Sequence, residues 1–248
     1  MKVSIITPCY NAERFIRETI ESVRAQTHRD WEMLITDDCS KDSSAKIVEE
    51  IAAQDPRVIL IRSAKNGGPA EARNQSLRQA TGQMVAFLDS DDLWVPTKLE
   101  TQLGWMKEHG SRFSFTQYRR MSEDGTQLGS VIQIPESLSY DQLLANTAIT
   151  TSTTLLDRDL LRGIELESGW GYDDFVLWLR ILKTGATAHG IAQDLVRYRV
   201  VQGSVSRKSL RSAGWVWRIY REHEHLGLLR SAYSLASYGL RAVIKHQK

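Results

Sequence analysis

The sequence is short of cysteine. Cys9 and Cys39 are the only two in 248 residues. That excludes a disulfide framework, and the pair lacks the spacing of a zinc site. A reducing compartment is expected. No apolar run reaches the roughly eighteen residues a membrane-spanning helix needs. The opening MKVSIITPCYN is too short and too soon polar for a secretory signal. A soluble, cytoplasmic chain follows from these absences. Internal repeats and low-complexity tracts are also missing. So are both glycine-rich phosphate loops, G-x-G-x-x-G and G-x-x-x-x-G-K-[ST], which disfavours a dinucleotide site and a P-loop.

What is there is globular. Hydrophobic residues make up 42% and charged residues 25%, and the length suits one large α/β domain or one domain with appendages. The formal net charge is +2, but it is unevenly spread. Residues 207–248 hold nine Lys or Arg against two Glu, a local +7, which leaves −5 on the first 206. An anionic partner is expected at the C-terminal end and a cation at the acidic end.

Short β-branched runs at Val3–Thr7, Trp31–Thr36, Val58–Arg62 and Met84–Leu88 alternate with helical patterns near 12–26, 43–54 and 69–81. Gly82 stands where the third helix should stop. Such alternation predicts a parallel sheet covered on both faces, with ligands beyond the carboxyl ends of its strands. Further along, FSFTQYRRM and EDGTQLGSVIQI read as two strands about a turn at Asp124-Gly125. DQLLANT and DDFVLWLRILKTG read as helices, the second closed by Gly185. From about residue 207 the chain is helical and basic. The expected divisions are 1–105, 106–206 and 207–248.

The polar clusters fall at one predicted sheet rim. TPCYN (Thr7, Pro8, Tyr10, Asn11) ends the first strand, Asp37-Asp38 the second, and Asp89-Ser90-Asp91-Asp92 the fourth. Tyr10 offers a face to stack a base, and a carboxylate accepts from a base N–H or a ribose hydroxyl. Taken singly, these are also turn and cap residues: Asn11 for the first helix, Asp37 or Asp38 for the second, and Asp92 for a helix starting near Leu93. Three acids within four positions raise one another's pKa unless a cation sits among them, and Mg²⁺ or Mn²⁺ prefers such oxygens together with phosphates. In NGGPAEARN, Gly67 and Gly68 allow close backbone approach ahead of Pro69, and Arg73 sits where it reaches a phosphate or base. Asp173 and Asp174, beside Trp170, precede an amphipathic helix. They are either its cap or carboxylates able to deprotonate an incoming hydroxyl.

Together these motifs resemble glycosyltransferase family 2, the inverting enzymes of the GT-A fold. The resemblance rests on TPCYNAERFI, DWEMLITDDCS, NGGPAEARN, FLDSDDLW and YDDFVLWLRILKTG, in that order, across about residues 1–205. The tail, YRVVQGSVSRKS then WVWRIYR, looks most like bacterial cell-surface polysaccharide enzymes of the teichuronic-acid and O-antigen type. The resemblance implies a mostly parallel, Rossmann-like sheet flanked by helices, with a C-terminal helical extension. It also implies a nucleotide site of Thr7, Pro8, Tyr10, Asn11, Asp38, Gly68, Arg73, Asp89 and Ser90, with Tyr10 stacking on uracil and Asp38 reading its N–H. Asp91 would hold Mn²⁺ or Mg²⁺, and Asp89 the ribose or the metal shell. Asp174 inherits the role of catalytic base. Asp173, where the family usually has Glu, and Trp170 would face the acceptor. No Q-x-x-R-W motif of processive polymerases occurs, so one sugar per encounter is expected.

Two other readings share the acids and the α/β pattern: a nucleotidyltransferase making the sugar nucleotide, and a non-catalytic carbohydrate- or partner-binding module. The first usually opens with a glycine-rich, basic turn, which TPCYNAE lacks. In the tail, Trp215, Trp217, Tyr220, Tyr233 and Tyr238 interleave with Arg211, Arg218, Arg221, Arg230, Arg241 and Lys245. That pattern suits either core packing with a solvated basic face or an anionic membrane surface. A peripheral position at the inner face of the membrane, near an undecaprenyl-diphosphate-linked acceptor, is the expectation. Nucleic acid is not an expected partner.

Overall fold

The near-continuous apolar runs form strands buried on both faces. The computed structural model describes residues 1–146, 148–201 and 209–246, with side chains for 212–241 in the last stretch. Strands β1 (Val3–Cys9), β2 (Trp31–Asp37), β3 (Val58–Arg62) and β4 (Met84–Phe87) pair in parallel, in the order β3-β2-β1-β4. Helices α1 (Ile16–Arg24), α2 (Ser44–Ala52) and α3 (Gly68–Gln79) connect them. The second half extends the same sheet with β9 (Leu155–Asp157), β6 (Phe113–Met121), β10 (Ala188–Arg199) and β5 (Leu93–Trp94). Among the described residues only β6 and β10 pair in parallel there. The other contacts are antiparallel, including those of β7 (Leu128–Ile132) with β6 and β8 (Ser137–Leu138) with β10. The sheet is therefore parallel in the first half of the chain and mixed beyond it.

Alternation along each strand divides the core in two. Ile5 and Ala86 face α1, α2 and α4 (Lys98–His109), while Ile6, Val85 and Phe87 lie on the side of α3, α5 (Tyr140–Leu144) and α6 (Asp173–Lys183). The hairpin at Asp124-Gly125 forms as expected. Gly125 has a φ of 77°, and the Asp124 carboxylate accepts from Ser122 Oγ and the Thr126 N–H. Gly82 follows α3 at a distance, but its role is close approach: a Cβ there would lie 2.6 Å from the Ser4 nitrogen.

Four cap assignments are corrected. Helix α1 begins at Ile16 after Phe15, so Asn11 does not cap it; Asn11 takes a φ of 49° and accepts from the Lys41 N–H instead. Ser43 precedes α2, which leaves Asp37 and Asp38 out of its cap. No helix starts near Leu93, which belongs to β5, so Asp92 caps nothing. The N-cap of α6 is Tyr172 and makes no side-chain cap bond; Asp173 and Asp174 form its first turn.

Tail helices α7 (Ser209–Arg218) and α8 (Leu228–His246) pack onto the α6 side of the sheet. Trp215 lies edge-on to Tyr172 and fills the space over Gly171, and Tyr220 is fully buried. Core packing therefore describes α7 and the inner face of α8. The 202–208 segment and the side chains of Arg211 and Lys245 lie outside the described residues.

Candidate active site

Because β1, β2 and β4 run in parallel, their carboxyl ends bring TPCYN, Asp37-Asp38 and the 89–92 loop to one edge. Tyr10 stands 49% exposed there, an aromatic ring left in solvent at the rim. Asp38 is buried. Its two carboxylate oxygens accept the Gly67 and Gly68 N–H groups at 2.8 and 2.7 Å, and its carbonyl accepts from Asn66 Nδ2. Asp38 thus clamps the glycine loop to the end of β2. Gly68, with a φ of 79° and open space where a Cβ would point, presents bare backbone to the rim.

Arg73, on the first turns of α3, pairs through Nη2 with Asp89 Oδ1 at 2.5 Å. Its Nε is buried and unpartnered among the described residues, as is Thr7 Oγ1 at the end of β1. Buried donors without partners cost free energy, so both atoms mark places where a polar ligand adds hydrogen bonds.

The three acids after β4 take three different positions. Asp89 is partly exposed and paired with Arg73. Burial and the neighbouring charge of Asp89 push Asp91 up to about 6. Asp92 is buried; it accepts from Ser152 Oγ at 2.5 Å and from the Arg199 N–H at 2.8 Å. The Arg199 side chain ties the same loop to its surroundings, donating to the Asp91 carbonyl, the Glu123 carbonyl and Glu18.

Asp174 opens α6. Its Oδ2 accepts from Thr151 Oγ1 at 2.6 Å and its Oδ1 from the Phe175 N–H at 2.9 Å. Asp173 accepts the Trp170 N–H at 3.0 Å. Burial raises the Asp173 carboxyl, Asp174 adds to the rise, and the positive charge of Arg73 opposes it. Arg73 and the acids of α6 therefore share one electrostatic neighbourhood. Trp170 is held edge-on to His223 with the Arg218 guanidinium over its ring.

Sequence reasoning missed Thr151 and Ser152. They form a 3₁₀ turn, Thr151–Thr153, whose own side chains bond both the 89–92 loop and Asp174. Residues 150–154 are five consecutive hydroxyl side chains, four of them buried, and such a run is a readable sign of a side-chain network.

The oxygens suit a hard dication. No three His, Cys, Asp or Glu groups converge among the described residues, so the chain would supply Asp91, with Asp89 beside it, and leave other positions to phosphate and water. A cation there offsets the repulsion that raises Asp91.

A family model, glycosyl transferase family 2, matches residues 4–166. The chain belongs to that family. As a family 2 glycosyltransferase it is 42% identical over 243 residues to the putative teichuronic acid biosynthesis glycosyltransferase TuaG of Bacillus subtilis, covering 98% of this chain and 96% of that one. It is 34% identical to the UDP-Glc:alpha-D-GlcNAc-diphosphoundecaprenol beta-1,3-glucosyltransferase WfgD of Escherichia coli, covering 98% and 94%. Among solved structures, S. aureus TarS 1-349 in complex with UDP-GlcNAc superposes with a TM-score of 0.74 at 20% identity, over 97% of this chain and 72% of that one. The mannosyltransferase PcManGT from Pyrobaculum calidifontis, in complex with GDP-Man and Mn²⁺, gives 0.72 at 20%, over 95% and 68%. These likenesses establish the GT-A fold for this family 2 enzyme.

Proposed function

We propose that this family 2 glycosyltransferase is inverting and metal-dependent. It moves one sugar from a UDP-sugar to a hydroxyl of a glycan or lipid-linked glycan during bacterial cell-surface polysaccharide synthesis. The observation that carries the reading is the Asp174 carboxylate. It is held by two hydrogen bonds on the rim that also bears Asp38, Arg73 and the 89–92 loop. Tyr10 stacks on the uracil, the unpartnered Arg73 Nε and Thr7 Oγ1 take nucleotide oxygens, and Gly68 lets the backbone approach. Asp91, helped by Asp89, would hold Mn²⁺ or Mg²⁺, which when bound offsets charge on the departing diphosphate. The acceptor hydroxyl gives its proton to Asp174 while its oxygen forms the new bond to the anomeric carbon. The carbon–oxygen bond to UDP breaks on the opposite face, so the configuration inverts. The acceptor reading draws on WfgD, whose name specifies a diphosphoundecaprenol-linked sugar. Asp174→Asn should abolish transfer in a screen of UDP-sugars with Mn²⁺ while UDP still binds. Substantial residual transfer would take the base role from Asp174.

A lipid-linked acceptor places the enzyme at a membrane surface, and we infer that α8 provides the contact. No helix among the described residues is long and apolar enough to span a bilayer. Of the seven exposed large hydrophobic residues described, four lie on α8: Leu228, Leu229, Tyr233 and Leu240. Leu229, Tyr233 and Leu240 follow helical spacing along one outward stripe, with Arg230 and Arg241 nearby. Replacing that stripe with aspartates should release the protein from anionic vesicles; unchanged sedimentation would remove α8 from the role.

A further inference from the structure

We propose that the Thr151–Thr153 turn is a positioning bracket for transfer. Thr151 aims the Asp174 carboxylate, its neighbour Ser152 fixes the donor loop, and one peptide unit thereby sets how far the base stands from the diphosphate seat. The inference rests on the transferase reading above and assigns residues to which that reading gives no role.

The bracket has two arms. On one side, Thr151 Oγ1 donates to Asp174 Oδ2 at 2.6 Å, while the Phe175 N–H holds the other oxygen. With both oxygens engaged, the carboxylate has one orientation, and the remaining lone pairs are left to receive the acceptor's proton. On the other side, Ser152 Oγ is used twice. It accepts the Asp89 N–H at 3.1 Å and donates to Asp92 Oδ2 at 2.5 Å. One hydroxyl thus binds the first and last acids of the loop that presents Asp91.

The turn cannot drift, because it rests on a buried polar platform. Trp94 Nε1 donates to the Ser152 carbonyl at 2.8 Å, and Gln102 Nε2 to the Thr153 carbonyl at 3.1 Å. Lys98 is fully buried beneath, with Nζ on Gln102 Oε1 at 2.5 Å and 4.0 Å from the Trp94 ring centre. Burial pushes the Lys98 amine well below the ordinary lysine range. Trp94 follows the donor loop closely in sequence, so that loop is tied to the turn through Ser152 Oγ and again through the Trp94 indole. Buried, satisfied networks of this kind fix geometry, and a displacement of about 1 Å at a reacting group costs on the order of a hundredfold in rate.

A packing role and a positioning role predict different kinetics, read on a donor–acceptor pair that the parent enzyme turns over. Thr151→Val keeps the side chain's shape and removes the hydroxyl. It should lower kcat by about 10- to 100-fold and leave the donor KM and the Kd for UDP with Mn²⁺ within about twofold. Thr151→Ser restores the hydroxyl without the methyl and should return kcat to within about threefold of the parent. Ser152→Ala should show the other half of the split, with UDP and Mn²⁺ bound at least about fivefold more weakly in calorimetry. Parental kcat in Thr151→Val, or a Thr151→Ser variant as slow as the valine, would overturn the bracket while Asp174→Asn stays inactive. An active Asp174→Asn enzyme would instead defeat the transferase base itself, and the bracket with it.

Discussion

Asp89, Asp91 and Asp92 are the same residue type within four positions, yet the fold gives them three chemistries. A neighbouring guanidinium neutralises Asp89, and a serine hydroxyl and a backbone N–H satisfy Asp92. Burial and the neighbouring acids push both buried carboxyls up, Asp91 to about 6 and Asp92 well above the ordinary range, and the two donors to Asp92 offset part of its rise. A divalent cation relieves that penalty, so the chain alone is anionically frustrated at this point. Asp91→Asn should therefore remove most of the gain that Mn²⁺ gives to UDP binding, at least about tenfold or ~1.4 kcal/mol, and leave metal-free UDP binding unchanged. Calorimetry with and without Mn²⁺ reads this directly, and an intact metal effect in Asp91→Asn would move the metal elsewhere. The sequence led us to expect a cation in FLDSDD. It did not show that Asp92 is committed to Ser152 and Arg199, residues 60 and 107 positions away.

The elements were legible wherever periodicity was strong. The β1 to β4 strands and α1 to α3 lie within a few residues of their predicted ranges, because uninterrupted β-branched runs and an amphipathic stripe leave little choice of local structure. Cap assignments failed, because Asp and Asn near a helix start also serve as loop clamps, and only the packed structure decides which N–H they meet. Asp38 took Gly67 and Gly68 rather than α2. A similar clip holds the other end of the sheet. Glu32 of β2 accepts from Ser4 Oγ of β1 at 2.6 Å and from the Thr81 N–H at 2.7 Å, and it pairs with Lys2 at 2.6 Å. Burial alone would raise this carboxyl, but the bonds from Lys2, Ser4 and Thr81 prevail and hold it at about 2, below the ordinary 4.5. Its contribution to stability is therefore full above pH 4.5 and is lost as the pH falls toward 2. Glu32→Gln should destabilise the fold at neutral pH by on the order of 2–3 kcal/mol, with the gap from the parent closing between those pH values. Denaturant melts across that range check it, and a gap constant with pH would contradict the assignment.

At the scale of the whole molecule, the C-terminal segment joins the enzyme body on one side and offers a surface on the other. Trp215 over Gly171, Tyr172 on Ser212 and Tyr238 against Phe175 brace the residues that carry Asp173 and Asp174. Cutting the tail away would remove the proposed membrane contact and the packing around Asp173 and Asp174 together, so a deletion cannot separate them. Substitutions confined to the outward stripe do. Leu229→Asp with Tyr233→Asp should lose binding to vesicles rich in phosphatidylglycerol and keep the parent's transfer to a water-soluble acceptor. Loss of both would assign the stripe to folding, and loss of neither would leave the membrane reading without support.

By itself, the sequence determined the strand–helix alternation and the rim to which the acids and Tyr10 belong, because parallel strands carry their loops to one edge whatever the rest of the chain does. It also carried the motifs by which the chain resembles the family it belongs to, glycosyl transferase family 2. The tertiary structure alone decided that Asp38 clamps the glycine loop, that Asp89 pairs with Arg73 and that Asp92 meets Ser152 and Arg199. It also decided that the hydroxyl run at 151–153 stands between the 89–92 loop and Asp174. Those roles depend on hydrogen bonds between residues far apart in the chain, and local pattern carries no information about such partners.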